Sequence, residues 1–115
     1  MSEIKRLKSG PRMSQAVIYN GTVWLAGQVG SPGKSITEQT ATILSQVDKL
    51  LSEAGSSKSK ILQTTIWLSS MDDFDEMNLV WDNWVDQENT PARACGEARL
   101  ATPDYNVEIM VIAAV

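Results

Sequence analysis

The stretch Val107-Glu108-Ile109-Met110-Val111-Ile112-Ala113-Ala114-Val115 closes the chain, and its pattern decides the reading of the fold. Side chains alternate across an extended strand, so Val107, Ile109 and Val111 point one way while Met110 and Ile112 point the other. Apolar residues on both faces describe a strand inside a sheet that is covered on both sides. Upstream of it, Thr102-Pro103-Asp104-Tyr105-Asn106 is a turn-rich connection. Before that, Ala92 to Leu100 alternates as a further strand, with Arg93, Cys95, Glu97 and Arg99 on one face and Ala94, Gly96 and Ala98 on the other.

Pro91 stops whatever helix precedes it. Ser70 and Asp73 have capping spacing, and Phe74, Met77, Trp81, Trp84 and Val85 then form the buried stripe of a second helix. Ile61 to Leu68 is rich in β-branched and aromatic residues and follows a Gly-Ser-Ser-Lys-Ser-Lys loop, as a strand reached by a crossover does. The first helix opens at Ser35 and Glu38 and carries Ile36, Ile43, Leu44, Val47, Leu50, Leu51 and Ala54 on one face until Gly55. Asn20-Gly21 joins two short strands, Ala16 to Tyr19 and Thr22 to Ala26, because both turn residues tolerate the positive φ of a type I′ hairpin. The order is β-β-α-β-α-β-β, with room for an additional first strand at Ile4 to Lys8. It describes an α+β fold, a sheet with two helices on one face. Two helices leave the second face bare, and a partner subunit is the simplest cover; closed rings such as trimers satisfy symmetry.

With 115 residues, 43% of them hydrophobic and 21% charged, the chain has the composition of one ordinary soluble domain spanning 1–115. The net charge of -4 lacks the basic footprint of a nucleic-acid binder. Zero His removes the usual general base, the usual zinc ligand and every Ser-His or Cys-His pair. Cys95 is the only cysteine, so neither an internal disulfide nor a CxxC site exists, and a reducing compartment fits best. The N-terminus lacks an apolar stretch behind its charges, and the longest apolar run, MVIAAV, is far short of a membrane span. The expected location is cytoplasmic, with no membrane partner.

Few residues remain that can carry chemistry. Arg93 offers a planar fork suited to a carboxylate, or it is a solvated strand residue paired with a surface acid. Glu108 interrupts an apolar strand, where partial desolvation weakens the acidity of a carboxylate as a general base requires. Its structural alternative is an ion pair: if the last two strands form a hairpin with Leu100 opposite Val107, Glu108 faces Arg99. Cys95 shares a strand face with Arg93 and, without His to activate it, is expected to pack or line a cleft rather than attack. The Trp and Met residues of the second helix read as core, and Asn78, just off that stripe, is either solvated or a ligand contact. Arg12, Ser14 and Gln15 lead into the first hairpin, and Gly27-Gln28-Val29-Gly30 leaves its second strand, a turn or a weak anion-binding loop.

These segments together resemble the RidA/YjgF family of reactive-intermediate deaminases along nearly the whole chain. The resemblance rests on Ser14-Gln15-Ala16-Val17, Leu25-Ala26-Gly27-Gln28-Val29, Met77-Asn78, Pro91-Ala92-Arg93-Ala94-Cys95 and Val107-Glu108-Ile109, with the family's spacing of arginine and glutamate kept between Arg93 and Glu108. It implies a chorismate-mutase-like fold, a homotrimeric barrel with clefts between subunits, no metal or organic cofactor, and hydrolysis of 2-imino acids to 2-oxo acids and ammonia. By matched position, Arg93 grips the substrate carboxylate and Glu108 orients or deprotonates water, while Cys95, Gly27 and Asn78 line the cleft. The chain departs from the family where many deaminases carry tyrosine before Ser-Gln: here Met13 stands between Arg12 and Ser14, as in a separate branch. A phenol is lost from the cleft and a guanidinium gained, which makes a second anionic group on the ligand conceivable. Two further readings stand beside the deaminase: a non-catalytic trimer binding small carboxylates or a partner enzyme as a sensor, motivated by Met13, and a nucleic-acid-acting protein, which the charge opposes.

Overall fold

Asn20 and Gly21 adopt φ of 49° and 73°, so the first hairpin turns as its sequence dictates, joining β2 (Ala16–Tyr19) to β3 (Thr22–Leu25). A computed structural model describes residues 3–115 of the chain. A first strand, β1 (Lys5–Leu7), pairs antiparallel with β2. Ser35 caps α1 (Ile36–Glu53) by accepting a hydrogen bond from the Glu38 amide, and Gly55, at φ 81°, follows the helix end at Ala54. The chain then runs through β4 (Ile61–Leu68), α2 (Phe74–Trp84), β5 (Ala92–Glu97) and β6 (Val107–Ala114). Ser70 caps a short 3₁₀ turn, Met71–Asp73, rather than α2 itself, and Asp73 at the start of α2 makes no side-chain cap. Of the expected stripe on α2, Met77 and Trp81 are buried, while Phe74, Trp84 and Val85 are partly buried at its margin.

The six strands form one mixed sheet in the order β1-β2-β3-β6-β4-β5. The last two strands therefore do not make a hairpin. β6 inserts between β3 and β4, antiparallel to both, and β5 pairs parallel with β4 at the sheet edge. The physical reason lies in the side chains: β6 has apolar residues to bury on both faces, whereas β5, with Ala92, Arg93, Ala94 and Gly96, has little to bury and takes the edge. β5 also ends at Glu97, leaving Ala98 to Leu100 in the following loop.

Both helices lie on one face. Val23, Leu25, Ile66, Leu68, Val107, Ile109, Val111 and Ala113 are buried beneath them, together with Ile43, Leu44, Val47 and Leu51 of α1. The opposite face is open, with Trp24 41% and Trp67 36% exposed and Val17, Met110 and Ile112 half-buried beside them. No helix among the described residues is long and apolar enough to cross a membrane.

Candidate functional site

The loop that delivers Glu108 is pinned by a buried amide. Gln39, fully buried on α1, donates to the carbonyls of Lys34 and Asp104 at 2.9 and 3.1 Å and to Asn106 Oδ1 at 3.1 Å, and its Oε1 accepts the Asn106 amide at 2.9 Å. Asn106 in turn donates to Ser69 Oγ at 2.9 Å, at the end of β4. A second amide network holds the neighbouring strand end. Gln28 exchanges both backbone hydrogen bonds with Ile109, at 2.9 and 3.1 Å, and its side chain donates to Gln15 Oε1 and the Ala26 carbonyl while accepting from Gln46. This pairing makes Glu108 and Gly27, one residue before each member, diagonal neighbours across the two strands.

Their contact is close. A Cβ built on Gly27 would run into the Glu108 carboxylate, with the carboxylate carbon 3.0 Å away. Glu108 rests over the bare backbone of Gly27, half-buried, on the open face of the sheet. Across the strands its partner is Trp67, and the partner of Trp67 on β5 is Gly96. The Ala26 amide donates to the Gln15 carbonyl, which ties the segment before β2 to the strand end before Gly27. Ser14 Oγ bonds Ser9 Oγ at 2.8 Å, and exposed Arg12 and Met13 precede it on the same loop. The ion pair with Arg99 does not form: Trp67 occupies the place opposite Glu108, and Arg99 lies in the loop after β5.

Arg93 lies elsewhere. Its partner on β4 is Thr64, a residue buried on the helix side, so Arg93 and Glu108 project from opposite faces of the sheet. The guanidinium donates to Asn78 Oδ1 at 2.7 Å and sits over the Trp81 ring, 5.4 Å from its centroid. It has no acid partner: among the described residues the ion pair is Lys8 with Glu53. A guanidinium oriented by an amide and an indole, yet left without a counter-charge, has its remaining donors free for an incoming carboxylate. Cys95 shares this face, packed partly against the core. Burial raises its thiol pKa above the ordinary value, and nearby Arg93 offsets only part of that, so the thiol form is favoured.

The site residues thus fall into two groups. Gly27 and Glu108 belong to the open face, and Arg12, Met13 and Ser14 to the loop before β2; Arg93, Asn78 and Cys95 belong to the helix-side edge. Three supporting residues are not assigned to the site by the sequence. Trp67 is one of several aromatic strand residues until the register sets it beside Glu108. Gln28 resembles any loop amide until its bonds to β6 are seen. Trp81 reads as core, which it is, while its ring face also supports Arg93.

The chain matches the family model described as Endoribonuclease L-PSP over residues 3–115. It is 44% identical over 113 residues to a RutC family protein of Haemophilus ducreyi, covering 97% of each chain. It is 41% identical over 112 residues to the RutC family protein YoaB of Escherichia coli, covering 97% of this chain and 98% of that one. The crystal structure of a YjgF family member from Neisseria meningitidis superposes with a TM-score of 0.95 at 47% identity, covering 97% of this chain and 94% of that one.

Proposed function

The chain belongs to the Endoribonuclease L-PSP family, the RidA/YjgF and RutC proteins, and from that premise we propose that it hydrolyses reactive 2-imino acids to 2-oxo acids and ammonia. The observation that carries this reading is Arg93, a guanidinium held by Asn78 and Trp81 with no acid among the described residues to neutralise it. Such a group suits the carboxylate common to every 2-imino acid, which it takes in a two-pronged grip.

The chemistry asks little more of the protein. The imine carbon is already electrophilic, so the steps are addition of water to the C=N bond, transfer of a proton to nitrogen, and departure of ammonia as the carbonyl forms. Glu108 holds the water, accepts a proton as the C–O bond forms, and returns it to the nitrogen that leaves. No histidine is needed, and the chain contains none. RNA cleavage, the activity in the family's description, fits these residues less well, because the chain is acidic overall and has no imidazole to serve as acid or base.

Arg93 and Glu108 on opposite faces cannot serve one substrate within one chain. The cleft is completed when one copy brings its β5 edge and α2 against the open, apolar face of the next, joining Arg93 of one copy to Glu108 of another. Two different surfaces meet in such a contact, so the contact is heterologous and closes as a ring; a homotrimer is the ring we propose. The free thiol of Cys95 suits a reducing compartment such as the cytoplasm.

The test is a coupled assay in which an amino-acid oxidase generates imines from several amino acids and their decay is timed. Wild type should shorten the decay, and Arg93→Ala should abolish the acceleration. Unchanged hydrolysis by Arg93→Ala would defeat the reading. Calorimetric binding of 2-oxo acids with no acceleration for any imine would favour a carboxylate sensor instead, with Met13 in place of the family tyrosine as the first position to exchange.

A further inference from the structure

A 2-imino acid places three groups on its reacting carbon: the nitrogen, the carboxylate and the amino-acid side chain. With water at Glu108 and the carboxylate on an arginine, the side chain must rest on a flank of Glu108. One flank is closed, because the space above Gly27 is filled by the Glu108 carboxylate itself. The other flank is Trp67, the cross-strand partner of Glu108, on the same face of the sheet.

The indole is not upright. A Cβ on Gly96, the next residue across on β5, would stand 3.1 Å from Cζ3 and 3.6 Å from Cε3 of the ring. The six-membered ring of Trp67 therefore leans over the bare backbone of Gly96, and the absence of a side chain there lets it lie low. Trp67 is still 36% exposed in this position, on the face that also carries Glu108. Beside the carboxylate, the open face thus presents a broad aromatic surface. Stacking on an indole favours flat or large apolar groups, since a methyl group covers little of it.

The geometry points to Trp67, seated over Gly96, as the platform for the substrate's side chain, and hence to 2-imino acids with aromatic or other large apolar side chains as the preferred class. This rests on the imine-hydrolase reading of Glu108, but it has a binding readout of its own. Phenylpyruvate and pyruvate, stable 2-oxo acids that differ only in the group that would meet the ring, serve as probes in calorimetry and tryptophan fluorescence. Trp67→Ala should weaken phenylpyruvate at least tenfold while leaving pyruvate within twofold. Trp67→Phe, which retains an aromatic surface, should keep most of the difference. Gly96→Ala, which lifts the ring, should reduce it with Trp67 intact. In the coupled assay the kcat/KM ratio of the imine from phenylalanine to that from alanine should fall in parallel.

Equal weakening of both probes by Trp67→Ala, or an unchanged ratio in all three variants, would overturn the platform. The two readings can fail separately. Wild type that hydrolyses no imine, yet shows the phenylpyruvate preference and its loss in Trp67→Ala, removes the hydrolase and supports the platform. Hydrolysis that depends on Arg93 but is indifferent to Trp67 removes the platform alone.

Discussion

Gly27 matters for the space it leaves. Its φ is not in the left-handed region occupied by Gly21, Gly33 and Gly55, so the backbone there makes no demand for glycine. What demands it is the Glu108 carboxylate, which fills the volume a side chain would take. The Glu108 carboxylate is the far end of a flexible side chain, so Gly27→Ala should displace it at little cost in stability. The expected outcome is a denaturation midpoint close to wild type with kcat/KM for imine hydrolysis reduced tenfold or more. Unchanged activity would mean that the position of the carboxylate is not critical. Sequence reading could name both residues, because one interrupts an apolar strand and the other follows a strand end. It could not show that they touch, since they are brought together by pairing between Gln28 and Ile109, far apart in the chain.

At the scale of elements, local signals and long-range ones have separate energetic weights. The Ser35 cap is local and exposed, and Ser35→Ala should cost about 1 kcal/mol. Gln39 is buried and bridges α1 to the loop before β6, so Gln39→Leu strands the backbone amide of Asn106, while the Asp104 carbonyl keeps the Gly33 amide as a donor. Leaving such a group unpaired costs roughly 1–3 kcal/mol, so Gln39→Leu should cost about 2 kcal/mol in urea unfolding, more than loss of the cap. The reverse ranking would mean that the loop finds other partners. The hairpin at Asn20-Gly21, both helices and β4 were legible because their determinants lie within a few residues of one another. The placement of β5 and β6 was not: alternation identifies a strand and its two faces but says nothing about which strand lies beside it. A hairpin between the last two strands is the nearest choice in sequence, and the demand of β6 for apolar neighbours on both sides, met by β3 and β4, overrides it.

At the scale of the molecule, Arg93 and Glu108 project from opposite faces, so the proposed hydrolysis requires assembly. Chains carrying Arg93→Ala and chains carrying Glu108→Gln should each be inactive alone. Unfolded together and refolded in equal amounts, they should recover about a quarter of wild-type activity, because random mixing in a ring makes that share of clefts join an intact Arg93 to an intact Glu108. A site confined to one chain would recover none. The same experiment tests the cover for Trp24, Met110 and Ile112, since a contact that buries them should be lost together with activity on dilution.

The sequence by itself determined the α+β class, the two helices on one face, a second face needing cover, and the short roster of groups able to do chemistry. Each follows from periodicity, from turn chemistry or from which side chains are present at all, and these are properties a linear chain carries. Only the tertiary structure decided that β6 lies inside the sheet and that Gly27 makes room for Glu108. It alone set Trp67 beside that carboxylate over Gly96, and Arg93 on the opposite face, held by Asn78 and Trp81. The reason is physical: strand order, register and face are set by which distant segments bury their apolar sides together, and a one-residue change of register would turn each of these side chains to the other face.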